Sequence, residues 1–205
     1  MTFHLGLTGS IATGKSSVSK HFQSLGYPIV DADLGSRAVV EPGQPGLEAI
    51  REHFGEDYIF PNQTINRKKL GQLIFADDRA RQELNQLLQP HIRQWIIQEA
   101  QAYDAAGHEL VVLDIPLLYE EGYQEDCDQV MVVYCSESVQ LERLMARDQL
   151  SEGEAFQRIC SQISIERKAE WADILIDNGR DLSYTYQQLD AWLGISGFRP
   201  NPVAE

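Results

Sequence analysis

A glycine-rich octapeptide near the start of the chain has the residue types that hold a row of phosphate groups. Residues 9–16 read GSIATGKS and fit the pattern G-x-x-x-x-G-K-[ST] at every fixed position. In such a loop, backbone N–H groups point inward and the positive end of the following helix adds to their attraction for anions. Lys15 would reach the outer phosphates, and the Ser16 hydroxyl would bind a magnesium ion that bridges them. The loop therefore predicts binding of a nucleoside triphosphate.

Two aspartates follow predicted strands, where ligands gather in an open α/β sheet. Asp33 could orient an acceptor hydroxyl and take its proton, or it could cap the helix that begins near Leu34. Asp114 could hold Mg²⁺, as an acid does at this place in many phosphate-loop proteins, or it could fix the turn that contains Pro116. From the residues alone, both pairs of interpretations stay open.

The segment 143–168 mixes arginines with acidic residues, and its two helical stretches meet near Ser151. A mobile lid that carries arginines over bound phosphates would have this composition, since closing lids exclude water during phosphoryl transfer. A solvated pair of charged helices would have it too. The charge pattern does not choose between them.

Strand candidates alternate with helical stretches along the chain. The five candidates, each short and rich in Val, Ile or Leu, are residues 3–8, 28–31, 110–113, 129–134 and 174–177. This alternation predicts a parallel sheet covered on both faces. A helix over 15–25 should end at Gly26. Residues 47–106 are too many for one crossover helix and too apolar for a loop, so they predict a helical subdomain, with Pro90 at a helix start.

Composition excludes several other classes of protein. The chain has 205 residues and a net charge of −14, which argues against a nucleic-acid partner because such binding needs a basic stripe. The longest apolar run, 110–119, is interrupted by Asp114 and Pro116, and no basic signal region opens the chain. We therefore expect a cytoplasmic protein without a membrane partner, as a monomer or weak homo-oligomer. Neither the three cysteines nor the five histidines have metal-ligand spacing.

Taken together, these motifs resemble the dephospho-coenzyme A kinase family of phosphate-loop kinases, nearly from end to end. The segments that carry the resemblance are 7–16, the DAD at 31–33 with Arg37, the EPG at 41–43, the DIPLLYE at 114–120, Arg143 and Arg147 followed by Asp148, Gln162 with Lys168, and 172–173 leading to the IDN at 176–178. Many enzymes share the loop, but D-A-D and D-x-P-L-L-[FY]-E at these separations are much more specific.

The chain departs from the family pattern at one place. The family usually has His-Pro where this chain has Gln89-Pro90, and His91 lies two positions further on. If that histidine touches substrate, the contact is lost here, shifted, or supplied by Gln89.

The resemblance implies a fold, an activity and a division of the chain. The fold is an α/β P-loop NTPase three-layer sandwich with a five-stranded parallel sheet, a helical substrate domain and a helical lid. The activity is transfer of the ATP γ-phosphoryl group to the ribose 3′-hydroxyl of dephospho-CoA, the final step of coenzyme A biosynthesis. A single kinase domain, 1–205, would divide into a core (1–46, 107–144 and 170–205), a helical CoA-binding insertion (47–106) and a lid (145–169).

The resemblance also implies roles for residues of the nucleotide site. The residues assigned to the ATP phosphates are Ala12, Thr13, Gly14, Lys15, Ser16 and Ser17. Arg143 and Arg147 would steady the transferring charge, and Asn178 would lie near the adenine.

The resemblance assigns catalysis and metal binding to an overlapping set of residues. Asp33, Lys15 and Arg143 would be the catalytic residues, with Asp33 as base or orienting group at the 3′-hydroxyl. Ser16 and Asp114 would hold Mg²⁺, so the expected cofactors are ATP and Mg²⁺.

Three other functions remain open from the sequence. A nucleoside monophosphate or shikimate kinase would share the loop and lid but lack D-x-P-L-L-[FY]-E. A GTPase would carry N-K-x-D and D-x-x-G segments, and neither is found. A regulatory module would bind ATP without turnover, although intact Lys15, Ser16, Asp33 and Arg143 argue against such degeneration. An ADP-release assay separates an enzyme from a sensor.

Overall fold

One five-stranded sheet organises the chain, of which the computed structural model describes residues 2–200. The strands are β1 Phe3–Gly9, β2 Ile29–Asp31, β3 Leu110–Asp114, β4 Gln129–Tyr134 and β5 Ile174–Asp177. They lie in the order β2-β3-β1-β4-β5 and form a parallel sheet, which confirms the predicted fold class. Every predicted strand is present, and its bounds differ from the prediction by at most one residue.

Helices connect these strands. They are α1 Lys15–Ser24, α2 Ala32–Ala38, α3 Pro45–Phe54, α4 Arg67–Ala76, α5 Asp78–Ala105, α6 Glu137–Asp148, α7 Glu152–Cys160, α8 Ile165–Trp171 and α9 Leu182–Ser196. Short 3₁₀ turns occupy Glu56–Tyr58 and Tyr123–Asp126. Gly26 follows α1 in the left-handed region at φ 87°, as predicted for a C-terminal cap. Within residues 2–200, no helix is both long and apolar enough to cross a membrane.

The chain forms two compact units. Within residues 2–200, the first contains the residues up to Val30 and those from Ala100 onward, and the second is Asp31–Glu99. These bounds differ from the expected insertion at 47–106, since the second unit already includes α2. The physical reason is packing: a Cβ added to Gly35 of α2 would lie 2.6 Å from Cε3 of Trp95 on α5. Such close packing between the two helices joins α2 to the helical unit.

The core of the first unit lies on both sides of the central strands. The neighbouring residues Val111 and Val112 of β3 point to opposite faces of the sheet and are both fully buried, as expected for parallel strands covered by helices on both faces. Phe22 of α1 is also fully buried, and its ring packs edge-on against Trp192 of α9 with centroids 6.3 Å apart. Helix α1, whose first two residues end the glycine-rich loop 9–16, is therefore firmly held by the core.

The second unit has its own apolar core. It is built from Val39, Val40, Ile50, Leu70 and Leu84. The prediction that Pro90 starts a helix is wrong, because Pro90 lies inside α5. Leu84 before it and Ile96 after it are both buried on the same helix. Their burial stabilises a continuous helix against the roughly 3 kcal/mol that an internal proline costs.

A pair of phenylalanine substitutions tests this description of the first core. Phe22→Ala should lower the free energy of unfolding by about 3–5 kcal/mol, because it leaves a cavity among α1, α9 and the sheet. Phe75→Ala is the matched control, since the Phe75 side chain is 94% exposed and its loss should change the free energy by less than about 0.5 kcal/mol. Denaturant unfolding measures both. Equal losses for the two variants would contradict the burial pattern.

Candidate active site

The glycine-rich loop connects the end of β1 to the start of α1, in the order that the sequence predicted. β1 ends at Gly9 and α1 begins at Lys15. Between them, buried Thr13 closes a tight turn, because its N–H and its Oγ1 both donate to the carbonyl of Ser10, at 3.1 and 2.9 Å. A Cβ added to Gly9 would lie 2.5 Å from Thr13 Oγ1. Glycine is therefore required at this position to allow the turn.

Asn178, which follows β5, supports the second half of the loop. Its Nδ2 donates to the carbonyl of Thr13 at 2.7 Å, and its Oδ1 accepts from Thr185 Oγ1 at 2.8 Å. Gly14 has φ 90°, and a Cβ there would collide with the Asn178 amide. Since Asn178 is 3% exposed and bonded at both ends of its amide, the structure gives it a positioning contact with the loop. Its expected place near adenine stays a prediction.

Lys15 and Asp114 form an ion pair at the carboxyl ends of two neighbouring strands. β3 lies beside β1, with Asp114 paired in register with Leu7, two residues before the loop begins. The Asp114 carboxylate, almost fully buried, accepts a hydrogen bond from Lys15 Nζ. The structure thus brings two predicted site residues together. It favours a site role for Asp114, whose carboxylate contacts the lysine.

The oxygen donors of Ser16 and Asp114 fit a magnesium ion. Ser16 is the second residue of α1 and is exposed to solvent. Among the described residues there is no cluster of three or more His, Cys, Asp or Glu that could hold a metal. Mg²⁺ commonly uses one or two protein oxygens and completes its shell with substrate phosphates and water. A hydroxyl and a carboxylate beside a phosphate-binding loop therefore suit this ion.

The two predicted arginines on α6 have different surroundings. Arg143 Nη2 donates to the backbone carbonyl of Asn178 at 2.9 Å, which places Arg143 beside the loop. Arg147 is 57% exposed and forms two hydrogen bonds with Asp148, at 2.7 and 3.0 Å. Asp148 also pairs with Arg158 of α7, and the hydrogen bond from Arg147 lowers the pKa of Asp148. Contact of Arg147 with phosphate stays a prediction.

Lys168 and Gln162 also contact the loop, although their roles were not predicted from the sequence. Lys168 Nζ donates to the Gly9 carbonyl at 3.0 Å and pairs with Glu120 at 2.8 Å. The Gln162 Oε1 accepts from the Ile11 N–H at 2.8 Å. A signal existed for Lys168, because it lies three positions after Ile165, on the apolar face of a short helix. Gln162 has no such helical signal, although the family resemblance already named it together with Lys168.

Asp33 lies in the second unit, at the start of α2. The helix begins at Ala32, and its N-cap is Asp31, whose carboxylate accepts from the Asp33 N–H at 2.8 Å. The alternative that Asp33 caps a helix near Leu34 is therefore wrong. Within residues 2–200, the exposed Asp33 carboxylate takes part in no hydrogen bond or ion pair. It is thus uncommitted, and its action on an acceptor hydroxyl stays a prediction.

Comparisons with known proteins agree on one family. A family model described as dephospho-CoA kinase matches residues 3–183. A dephospho-CoA kinase of Enterococcus faecalis is 50% identical over 193 residues, which are 94% of this chain and 96% of that protein. One from Listeria monocytogenes is 44% identical over 185 residues, or 90% and 92% of the two chains.

Solved structures show the same fold. A dephospho-CoA kinase from Campylobacter jejuni has a TM-score of 0.73 at 31% identity, covering 96% of this chain and 98% of that one. The crystal structure of TT1252 from Thermus thermophilus has a TM-score of 0.76 at 27% identity, covering 95% and 97%.

Substitution of Gly14 tests the geometry of the loop. Gly14→Ala should weaken binding of a nonhydrolysable ATP analogue at least about tenfold, because the methyl group displaces the Asn178 amide that holds Thr13. Gly107→Ala is the matched control: Gly107 also has positive φ, at 80°, but a Cβ there would meet nothing within 4 Å. Calorimetric titration measures both. Equal weakening in the two variants would mean that the contact with Asn178 has no part in binding.

Proposed function

The chain belongs to the dephospho-CoA kinase family, and on that premise we propose how its residues divide the work of the reaction. It catalyses ATP-dependent phosphorylation of dephospho-CoA in coenzyme A biosynthesis. We propose that the acceptor is the ribose 3′-hydroxyl and that the products are coenzyme A and ADP. The observation that supports this best is the strand–loop–helix with Lys15 and Asp114 joined beside it, in a chain 50% identical to a dephospho-CoA kinase.

The loop holds the triphosphate. Backbone N–H groups of Ala12 and of residues 14–16 face anionic oxygens, because a helix begins with N–H groups that have no partner within the helix, whereas the Thr13 N–H is bonded within the turn. The Ser17 N–H already donates to the Gly14 carbonyl at 2.9 Å, so Ser17 contributes through its hydroxyl. The free backbone N–H groups can therefore bind the phosphates without a rearrangement of the loop backbone.

Lys15 exchanges one anionic partner for another when ATP binds. Without nucleotide, its ammonium is neutralised by Asp114. The triphosphate carries several negative charges and is therefore a stronger partner than one carboxylate. The exchange leaves the Asp114 carboxylate available as an oxygen ligand.

Ser16 and Asp114 are the residues that would hold Mg²⁺. When bound, the ion supplies positive charge to the β- and γ-phosphates. Arg143 contributes a second positive charge: its Nη2 is bonded to the Asn178 carbonyl, which holds the guanidinium beside the loop, where it stabilises the γ-phosphoryl group. Arg147 breaks its ion pair with Asp148 and contributes a further positive charge at the phosphates. Catalysis by this set is electrostatic, since it stabilises negative charge as the phosphoryl group moves.

Asp33 is the base in the transfer step. The 3′-oxygen of the acceptor forms a bond with the γ-phosphorus, and the bond between that phosphorus and the β,γ-bridging oxygen breaks. The electron pair of the broken bond stays on ADP, and the proton of the hydroxyl passes to the Asp33 carboxylate. The uncommitted state of this carboxylate, with the helix capped by Asp31 instead, supports the assignment.

The remaining expectations concern the site that holds the acceptor and the cellular compartment of the enzyme. We propose that the helical unit Asp31–Glu99 holds dephospho-CoA and that part of 145–169 closes over the nucleotide. Gln89 and His91, where the family pattern has its histidine, are both half-buried on α5. Within the described residues no cysteine forms a disulfide, which suits a reducing cytoplasm.

A panel of acceptors tests the proposed reaction. ADP formation should be selective for dephospho-CoA over AMP, shikimate and pantothenate, and it should require Mg²⁺. Mass spectrometry of the product should place the new phosphate on the ribose 3′-oxygen. Preferred turnover of AMP or shikimate, or release of ADP at the same rate without an acceptor, would overturn the proposal.

Asp33→Asn tests the base. The amide keeps the size of the side chain but accepts no proton, so kcat should fall roughly a hundredfold or more with ATP binding preserved. Asp190→Asn serves as control, because Asp190 pairs with His21 on the surface and should leave kcat unchanged. Stopped-flow ADP release gives kcat, and calorimetry gives the ATP affinity. Normal turnover by Asp33→Asn would exclude the role as base.

A further inference from the structure

One short segment holds three consecutive residues in the first half of the phosphate loop. Lys168 Nζ donates to the carbonyl of Gly9, the Ser10 hydroxyl donates to the Ile163 carbonyl at 3.4 Å, and Gln162 accepts from the N–H of Ile11. All three contacts come from residues 162–168, which include the start of α8. We infer that Gln162 and Lys168 are positioning residues that set the shape of the phosphate loop before ATP binds.

The environment of Lys168 indicates a specific task. Its side chain is completely buried, and placing an ammonium there is costly unless every interaction is well made. Burial lowers the pKa of Lys168, and the hydrogen bond to Glu120 opposes that effect. A leucine could fill this apolar position at less cost. What leucine cannot do is donate to the Gly9 carbonyl, at the point where β1 turns into the loop.

Glu120 connects this lysine to the chain just before α8. Its Oε1 accepts both from Lys168 Nζ at 2.8 Å and from the Ile163 N–H at 3.1 Å. The carboxylate therefore fixes the backbone at Ile163, next to the residue that holds Ile11. One acidic side chain thus aligns both anchoring contacts to the loop.

Gln162 satisfies a backbone donor that the loop itself leaves unpaired. The turn bends at Ala12, which has φ 63°, a conformation unfavourable for a residue with a side chain. With the Ile11 N–H held by Gln162, that bend is fixed from outside the loop. The Ile11 and Ala12 side chains also pack against a buried cluster of Leu144, Ala155 and Ile159. The loop is therefore pre-organised by polar and apolar contacts together.

This support has a consequence for the expected lid. Residues 162–168 lie inside the segment 145–169 that the resemblance assigned to a lid, yet they are bonded to the phosphate loop. They remain with the loop when ATP binds, so any closing motion is confined to residues before 162. Arg147 and Arg158 lie within that part of the segment, and their side chains are 57% and 52% exposed.

The inference rests on the proposed function, and its test has a readout independent of turnover. Gln162→Met removes the acceptor at a half-buried site and should keep the fold. Lys168→Met combined with Glu120→Gln removes the buried charges as a pair, because removing the lysine alone would leave an unpaired carboxylate. Arg167→Met on the same helix is the matched control, since Arg167 is 60% exposed and pairs with Glu170.

Hydrogen exchange of the nucleotide-free protein is the first measurement. In Gln162→Met the amide of Ile11 should exchange at least about tenfold faster than in the wild type, since its hydrogen-bond partner is gone. Steady-state kinetics are the second measurement. In both Gln162→Met and the double variant, kcat should fall at least about tenfold while KM for ATP changes less. The reason is that misplaced phosphates lose alignment for transfer more than they lose binding.

Four outcomes are distinct. Faster exchange with lower kcat, and an unchanged Arg167→Met, supports the inference. Wild-type exchange at Ile11, or wild-type kcat in both the Gln162→Met and double variants, overturns it. A loss of kcat that only follows a lower melting temperature overturns it as well, because that is general destabilisation. Failure of the wild type to phosphorylate dephospho-CoA overturns the proposed function instead, whereas the exchange rates still report on the loop.

Discussion

The structure depends on one constraint: the phosphate loop must turn its N–H groups toward a ligand while its other polar groups are satisfied from within the protein. A buried backbone group without a partner is costly, so each such group needs a donor or acceptor. Asn178 provides one for the carbonyl of Thr13, Lys168 for Gly9, and Gln162 for the N–H of Ile11. These supports come from two parts of the chain, the segment 162–168 and the residue that follows β5, and together they allow a strained bend to persist without nucleotide.

Positive charge is concentrated at the phosphate loop of a chain that is negative overall. The chain has a net charge of −14, yet the reaction of its family uses ATP, a small anion that carries several negative charges. Lys15 and Lys168 are each paired with one carboxylate, Asp114 and Glu120, but the two pairs differ in purpose. In the proposed function, ATP replaces Asp114 as the partner of Lys15, whose side chain is 19% exposed. The second pair is enclosed, so its lysine stays with the loop. The two lysines thus differ in burial, which agrees with the binding role proposed for Lys15 and the positioning role proposed for Lys168.

The order of the strands explains why these residues meet. β1 lies at the centre of the sheet between β3 and β4, so the loop after β1 is flanked by the ends of its neighbours. The end of β3 supplies Asp114, and β5, which pairs with β4, is followed by Asn178. Residues more than 60 positions apart thus reach one loop, in accordance with the rule that ligands bind beyond the carboxyl ends of parallel strands.

Local patterns in the sequence determined the strands, the loop, α1 and the family, because the periodicity of apolar residues and the spacing of glycines act over a few residues. They also predicted catalytic or magnesium-binding roles for Lys15, Ser16, Asp33, Asp114 and Arg143. The tertiary structure decided what each side chain contacts: that Asp31 caps α2, that Pro90 lies within α5, and that Asn178, Gln162 and Lys168 hold the loop. Such contacts join residues up to 165 positions apart, and a hydrogen bond over that distance depends on packing that no local pattern records.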